Sequence, residues 1–280
     1  MKDVFRTSVP VIGVLHLLPL PGAPRYSGAS VSEIARQAVA ESVDLAEGGV
    51  DGIIIENFRD NPFLKRVGPE TIAAMTRVSV EISKAVSLPL GLCVLQSDGL
   101  GAIAIAKAVG AAFIRVPYFS ETYVVDAGLM DSIAGSLQRF RVSLGCTAKV
   151  FADVHIKHGY PLAQRDIGAS ARDAIERCSA DAVIVTGLRT GGETDLEDVK
   201  RVRKALPDAN LIVGSGVSLE NVGRYLEYVS GIILSTSLKR EGRTENVVDP
   251  GRVSDFMKEI EKYRSRAISE SGDEVKEERS

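Results

Sequence analysis

The sequence predicts a single α/β domain in which eight parallel strands and their helices close into a (β/α)8 barrel. Short apolar, β-branched runs alternate with longer segments of helical period from Val9 to about Arg266, as repeated βα units require. There are eight such runs, the number that closes a barrel. The length of 280 residues also suits one barrel, since about 250 residues is usual for this fold.

The strands and helices follow one another in a regular order. The strands are predicted at Val11–His16, Gly52–Asn57, Leu90–Gln96, Ala112–Pro117, Lys149–His155, Ala182–Gly187, Leu211–Ser215 and Gly231–Thr236. The helices are predicted at Val31–Glu47, Glu70–Val86, Asp126–Leu144, Ile167–Arg177, Leu196–Leu206, Leu219–Glu227 and Pro250–Arg264. Asp195 and Ser218 stand where N-caps of two of these helices are expected.

A doubly wound open sheet is the main alternative, because it has the same local alternation of strands and helices. However, the first strand runs into His16 and a proline-rich loop, and no Gly-x-Gly-x-x-Gly motif follows it. We therefore predict one barrel over residues 1–268. Residues 269–280 are rich in charge and poor in apolar side chains, which predicts a disordered tail.

The composition excludes several classes of protein. The 34 basic and 37 acidic residues give a net charge of -3 without a basic cluster, so we expect no nucleic-acid partner. No apolar run approaches the roughly 20 residues of a membrane span, and the N-terminus lacks a signal-peptide pattern. The cysteines, Cys93, Cys146 and Cys178, are odd in number and widely separated, which favours buried thiols in a reducing, cytoplasmic compartment. Symmetric association is common, so a homo-oligomer is included among the expectations.

Polar side chains gather at the predicted C-terminal strand ends, where barrel enzymes carry their active sites. The histidines of the chain, His16, His155 and His158, all fall at or just beyond strand ends, and Glu56, Asn57 and Arg115 occupy similar positions. Charged groups at the end of apolar strands are costly unless they are paired, solvated or bound to a ligand. These positions therefore predict a functional site.

Asp153 and His155 are the first catalytic candidates. They are two residues apart in the fifth predicted strand, which places both on one face of an extended chain. A carboxylate beside an imidazole can orient it for proton transfer or join it as a metal ligand. An ion pair closing the mouth of the barrel is the alternative.

Glu56 and His16 complete the set of candidate catalytic residues, and Asn57 and Arg115 are expected to bind substrate. A carboxylate followed by an amide suits a divalent metal or sugar hydroxyls. No His-x-x-x-His or Cys-x-x-Cys spacing occurs, so the metal stays undecided, and no organic cofactor is predicted.

Lys157 and Lys239 follow the fifth and eighth predicted strands, and Thr186 ends the sixth. We expect all three to contact substrate. A lysine at a barrel mouth binds an anion or forms a Schiff base, and a solvated surface lysine is the alternative for both. The segment Thr190-Gly191-Gly192 adds a glycine-rich loop beside Thr186.

The last two strand ends predict a phosphate site. Gly214-Ser215-Gly216 ends the seventh strand and leads through Val217 and Ser218 toward a predicted helix, while Ser235-Thr236-Ser237 ends the eighth. Small residues let backbone amides approach an anion. The loops after strands seven and eight are also where many barrels bind phosphate.

These motifs resemble the BtpA/SgcQ family. The segments that carry the resemblance are Val11–His16 with Pro19–Tyr26, Asp51–Phe58 with Asp60 and Pro62-Phe63, Ala152–His158, Asp181–Gly187, Val213–Val217 with Glu220-Asn221, and Ser237–Lys239. The resemblance implies a phosphate-binding barrel, and the family is named for a cyanobacterial factor of photosystem I biogenesis. Gln96-Ser97-Asp98 departs from the family, which tends to have an asparagine before the aspartate.

An enzyme acting on a phosphorylated sugar or nucleoside-like metabolite by acid-base chemistry is the leading hypothesis. The genes of relatives in the family that this chain resembles often lie beside genes of sugar or nucleoside metabolism, which agrees with this substrate class. Isomerase, lyase and glycosyl-bond hydrolase or transferase chemistry all remain open. The alternative is a non-catalytic assembly factor, as in photosystem I biogenesis.

Overall fold

The computed structural model describes residues 1–187 and 191–277, with side chains described as far as residue 265. The strands in this part of the chain are β1 (Val11–His16), β2 (Gly52–Glu56), β3 (Leu90–Cys93), β4 (Phe113–Val116), β5 (Tyr123–Val125), β6 (Gly128–Met130), β7 (Lys149–Val154), β8 (Gly159–Pro161), β9 (Ala182–Thr186), β10 (Leu211–Gly214) and β11 (Gly231–Leu234). Eight of them form a closed parallel barrel in the order β1-β11-β10-β9-β7-β4-β3-β2. The predicted (β/α)8 fold is confirmed.

The helices lie between the barrel strands and cover their outer side. They are α1 (Val31–Glu47), α2 (Pro69–Ala85), α3 (Gly99–Val109), α4 (Ala134–Ser143), α5 (Ile167–Arg172), α6 (Leu196–Ala205) and α7 (Pro250–Glu277). Local sequence fixes several of their starts. Ser30 and Glu33 form a capping box on α1, and the side chains of Asp98, Asp166 and Asp195 cap α3, α5 and α6.

The barrel interior is apolar in its lower part and polar at its C-terminal end. Ile54, Phe113 and Phe151 are fully or almost fully buried in the apolar interior, where the two phenylalanine rings stack with centroids 4.7 Å apart. Side chains alternate along a strand, so the residue two positions later points to the same face. That residue is Glu56 in β2, Arg115 in β4 and Asp153 in β7. The period of two thus carries three charged groups into one layer.

Two predicted helices differ from the structure, and one helix was not predicted. The helix expected at Asp126–Leu144 begins only at Ala134, because residues before it form β6 in a small antiparallel sheet with β5 and β8. The helix expected at Leu219–Glu227 is reduced to a short 3-10 turn at Val222–Arg224, so Ser218 caps no α-helix. Helix α3 was not predicted, since Gly99 and Gly101 obscure its apolar pattern.

The C-terminal helix α7 runs through much of the segment 269–280 that was expected to be a disordered tail. Residues 278–280 lie outside the described residues, and the division between barrel and tail stays a prediction. Helix α7 packs its first half against α1 through Val253, which stands beside Gly48. None of the helices in the described ranges is both long enough and apolar enough to cross a membrane.

Candidate functional site

A buried ionic network lies across the C-terminal end of the barrel interior. Arg115 donates to both carboxylate oxygens of Asp153, with Nε–Oδ2 and Nη2–Oδ1 distances of 2.9 Å. Its Nη1 donates to Glu56 Oε1 at 3.0 Å. The side chains of Arg115, Glu56 and Asp153 are only 8%, 5% and 0% exposed. One guanidinium therefore holds two carboxylates that are almost fully buried.

The charges of this network depend on one another. Burial lowers the pKa of Arg115, but the carboxylates of Asp153 and Glu56 outweigh it, and the net pKa lies well above its ordinary value. Arg115 therefore stays charged at all working pH values. A buried pair of this kind loses about 3–5 kcal/mol when one partner is removed, because the other charge is left uncompensated.

His16 connects the network to the opposite side of the mouth. Parallel pairing sets His16 beside Glu56, and His16 Nε2 lies 3.8 Å from Glu56 Oε2 and 3.4 Å from Ser235 Oγ. The imidazole stacks on Phe58, with ring centroids 4.3 Å apart. Burial, followed by the positive charges of Lys239 and Lys157, holds the pKa of His16 well below its ordinary value. A neutral imidazole therefore stands between a carboxylate and a hydroxyl at pH 7.

Lys157 enters the mouth from the loop after β7. Its Nζ donates to Ser215 Oγ at 2.9 Å, and its backbone N–H donates to Thr186 Oγ1 at 3.3 Å. Burial and then the nearby charge of Arg115 lower the pKa of Lys157 to about 8. Thr186 is thus a positioning residue for the Lys157 backbone.

The loops after β10 and β11 form the other wall. Ser215 and Gly216 both have positive φ, at 67° and 62°. A Cβ on Gly216 would lie 2.4 Å from the backbone of Gly192, so only glycine fits this close approach between loops. Ser237 Oγ is buried and makes no hydrogen bond with any described residue. This wall therefore offers backbone and hydroxyl groups with little side-chain bulk.

These groups share a single cavity of about 270 Å³ at the barrel mouth. Its polar lining consists of His16, Glu56, Gln96, Arg115, Tyr118, Lys157, His158, Ser215, Ser218, Ser235, Thr236 and Ser237. Gly191 and Gly216 also line it, and Thr190 lies outside the described residues. Asp153 lies beneath the cavity and reaches it only through Arg115. The arrangement combines proton-transfer groups with a hydroxyl-rich wall, at a size that suits a small ligand.

His155 corrects one expectation. Strand β7 ends at Val154, and His155 has a φ of 46°, so the alternation that would set it beside Asp153 no longer applies. Its Nε2 lies 3.2 Å from Ser170 Oγ of α5, and it is absent from the cavity lining. The structure therefore does not bring His155 together with Glu56 and His16.

Lys239 is likewise not at the mouth. It is fully buried, and its Nζ lies 3.4 Å from Glu41 Oε2 of α1. Burial lowers the pKa of Lys239, and the Glu41 carboxylate opposes that effect. This ion pair joins α1 to the segment after β11 rather than facing the cavity.

Asn57 and Gly214 also lie behind the cavity wall. Asn57 Oδ1 accepts from the backbone of Leu95 at 2.7 Å, and its Nδ2 donates to Asp60 at 3.0 Å. The carbonyl of Gly214 accepts from Thr194 Oγ1 at 2.6 Å. Both residues hold mouth loops in place, and neither lines the cavity.

Some lining residues were not predicted from sequence, chiefly Phe58, Phe63 and Tyr118. The signal for Phe58 was available, since it directly follows Glu56-Asn57, but single aromatic residues are more often part of a core. Tyr118 lies one residue beyond the predicted fourth strand.

No group of three or more His, Cys, Asp or Glu side chains is arranged to hold a metal ion in the described ranges 1–187 and 191–265. Cys93, Cys146 and Cys178 are free thiols. Burial and the neighbouring Glu56 carboxylate raise the pKa of Cys93 well above its ordinary value, which disfavours the reactive thiolate.

Sequence comparison connects this geometry to known proteins. The profile of the BtpA family matches residues 7–262. The photosystem I biogenesis protein BtpA of Synechocystis is 40% identical over 256 residues, which cover 91% of this chain and 89% of that protein. The putative sgc region protein SgcQ of Escherichia coli is 33% identical over 266 residues, which cover 94% of this chain and 98% of that protein.

Comparison with solved structures supports the fold. The N-(5'-phosphoribosyl)anthranilate isomerase of Pyrococcus furiosus superposes with a TM-score of 0.56 at 14% identity, covering 91% of this chain and 99% of that one. The orotidine 5'-monophosphate decarboxylase of Methanocaldococcus jannaschii gives a TM-score of 0.52 at 13% identity, covering 89% and 98%. At these identities the likeness concerns the barrel alone.

Proposed function

This chain belongs to the BtpA family, and from that premise we propose that it is an enzyme acting on a phosphorylated sugar or nucleoside-like metabolite by acid-base chemistry. The observation that carries the proposal is the shared cavity, which joins Glu56, His16 and Lys157 to the loops after β10 and β11. A structural barrel has no need of buried charges beside an open cavity, since each charge costs desolvation free energy.

The phosphate would bind at the wall formed by Ser215–Ser218 and Ser235–Ser237. Glycine at position 216 keeps side-chain bulk away from the approaching oxygens, and the Ser237 hydroxyl, which has no partner among the described residues, offers a hydrogen bond. The Lys157 ammonium group at Ser215 supplies the positive charge. The solved barrels of similar fold include a phosphoribosyl isomerase and a 5'-monophosphate decarboxylase, which agrees with this choice of ligand class.

Glu56 and His16 are the pair proposed to move protons. Both oxygens of Asp153 accept hydrogen bonds from Arg115, so Asp153 positions the guanidinium. Glu56 gives one oxygen to Arg115 and turns the other toward His16. A carboxylate next to a neutral imidazole can accept a proton from a ligand carbon or hydroxyl and pass it on.

The alternative is a non-catalytic assembly factor, a role suggested by the name of the Synechocystis relative. That role requires a partner surface and makes no use of a small-molecule cavity. Binding of a phosphorylated metabolite at the mouth therefore separates the two functions.

Isothermal titration calorimetry with ribose 5-phosphate, inorganic phosphate and ribose tests the proposal on the full chain. We expect both phosphate compounds to bind and ribose to bind at least about tenfold more weakly. Ser237→Asp should abolish phosphate binding by charge repulsion, whereas Ser143→Asp, at the exposed end of α4, should leave it unchanged. Equal binding by wild type and Ser237→Asp, or no binding by either phosphate compound, would refute the proposal.

A further inference from the structure

Lys157 differs from Lys239 because its charge has no carboxylate partner among the described residues. In the described part of the chain, no carboxylate lies within 4 Å of Lys157 Nζ, so none forms an ion pair with it. Its Nζ donates a hydrogen bond to the Ser215 hydroxyl at 2.9 Å. Lys239, in contrast, is fully buried against Glu41. The amine of Lys157 therefore borders the cavity without being tied into a salt bridge.

The surroundings favour the unprotonated amine. Burial is the main cause and the charge of Arg115 the second, and together they lower the pKa of Lys157 to about 8. Roughly a tenth of the side chain is then neutral at pH 7, against less than about a thousandth for an ordinary lysine. Only the neutral amine has a lone pair that can attack carbon.

We propose that Lys157 is a nucleophile and that the ligand is a phosphorylated aldehyde or ketone, which Lys157 Nζ captures as an imine. The inference rests on the proposed function, because the phosphate would be held by the loops beside Ser215. Since Ser215 both contacts Nζ and begins that wall, the carbonyl carbon would lie only a few bonds from the phosphate.

The covalent step is balanced with the groups at hand. The lone pair of Nζ forms a bond to the carbonyl carbon, and the carbonyl π electrons move to oxygen, which takes up a proton. The positively charged nitrogen of this adduct loses a proton to give the neutral carbinolamine. The nitrogen lone pair then forms the C=N bond as the C–O bond breaks and the hydroxyl group leaves with a proton as water, and loss of the remaining N–H proton gives the imine. One water is therefore released for each imine formed. The Ser215 hydroxyl, at hydrogen-bond distance from Nζ, is placed to relay the proton that the nitrogen releases.

Pyridoxal 5'-phosphate is a suitable probe, because it carries an aldehyde and a phosphate in one small molecule. The full chain is incubated with the probe at neutral pH, and sodium borohydride then adds hydride to the imine carbon to give a stable secondary amine. Peptide mass spectrometry locates the label. We expect Lys157 to be labelled at least about tenfold faster than any other lysine, and excess inorganic phosphate to slow that labelling.

Two variants serve as controls. Lys157→Arg keeps the charge but lacks a nucleophilic amine, so the selective label should disappear, while Lys204→Arg at the exposed end of α6 should keep it. Circular dichroism checks that both variants fold. If either variant fails to fold, the position of the label in the wild-type chain still tests the proposal.

The outcomes separate the two proposals. Phosphate binding by calorimetry with labelling spread evenly over surface lysines would overturn the imine and leave the proposed function standing. Absence of both phosphate binding and selective labelling would overturn both. Selective labelling that phosphate does not slow would overturn the arrangement in which phosphate and carbonyl share this cavity.

Discussion

Replacing Lys157 with methionine should stabilise the folded protein at neutral pH, although it removes a side chain that we propose acts on the ligand. In the folded state the pKa of Lys157 is lowered from 10.5 to about 8. A difference of about 2.5 pKa units corresponds to about 3 kcal/mol, at about 1.4 kcal/mol for each unit. Loss of the hydrogen bond to Ser215 offsets about 1 kcal/mol. We therefore expect a net gain on the order of 2 kcal/mol at pH 7.

The sign of the pH dependence follows from proton counting. Between pH 8 and pH 10.5 the unfolded chain keeps the Lys157 proton that the folded chain has released. The unfolded state binds more protons in that window, so the free energy of unfolding of wild type rises with pH there. The methionine variant lacks this contribution. Its advantage over wild type should therefore be largest below pH 8 and disappear as the pH approaches 10.5.

Urea unfolding of both proteins at several pH values between about 7 and about 10 measures the difference directly. Other titrating groups cancel because they are common to the two proteins. Lys204→Met is the matched control, and its difference from wild type should not change across the window, since the side chain is exposed. A Lys157→Met protein that is no more stable than wild type at pH 7, or an advantage that does not vary with pH, would refute the reasoning.

Three further predictions concern the rest of the site and its supports. Arg115→Met should lower the free energy of unfolding in urea by about 3–5 kcal/mol, because Glu56 and Asp153 are left buried without a cation. In a Glu56→Gln/Asp153→Asn background most of that loss should disappear, and strictly additive effects of the substitutions would contradict the network. Gly216→Ala should lower the free energy of unfolding by about 1–3 kcal/mol and weaken phosphate binding, whereas Gly223→Ala, with open space around it, should change stability by less than about 0.5 kcal/mol. Equal loss of stability in the two variants, in thermal and urea melts, would argue against the close loop contact. Lys239→Met should destabilise the protein by about 3–5 kcal/mol because it leaves Glu41 unpaired, while the Kd for phosphate should stay within about twofold of wild type. A large rise in that Kd would show that Lys239 acts on the ligand.

The charged layer of the mouth could be predicted from sequence because it obeys a local rule. A buried apolar residue in a strand is followed two positions later by the side chain that points to the same interior, and strand ends are marked by the change from apolar to polar. Ile54 to Glu56 and Phe151 to Asp153 both follow this rule. The same rule failed for His155, since the strand ends one residue earlier and the backbone turns to positive φ.

Other features could not be predicted because they depend on residues far away in the chain. Lys239 pairs with Glu41, which lies 198 residues earlier in the chain, and therefore does not face the mouth. The residues of β6 form a strand in place of the predicted helix because they pair with β5 in a hairpin, and β5 pairs on its other side with β8, which follows β7 in the chain. The pairing of β5 with β8 is not visible in a local pattern. The helical period alone therefore gives the wrong element where a distant strand supports a hairpin.

The stability cost of Lys157 and its proposed role have one physical origin. Arg115 faces two carboxylates, so the network with Glu56 and Asp153 carries one net negative charge, which the Lys157 ammonium balances across the cavity. Without that ammonium group, the mouth would repel a phosphorylated ligand. With it, the folded protein holds a partly buried cation that has no direct carboxylate partner in the described chain. The cost that Lys157 imposes on the free protein is thus one that a phosphorylated carbonyl ligand would compensate, first by ion pairing and then by covalent capture.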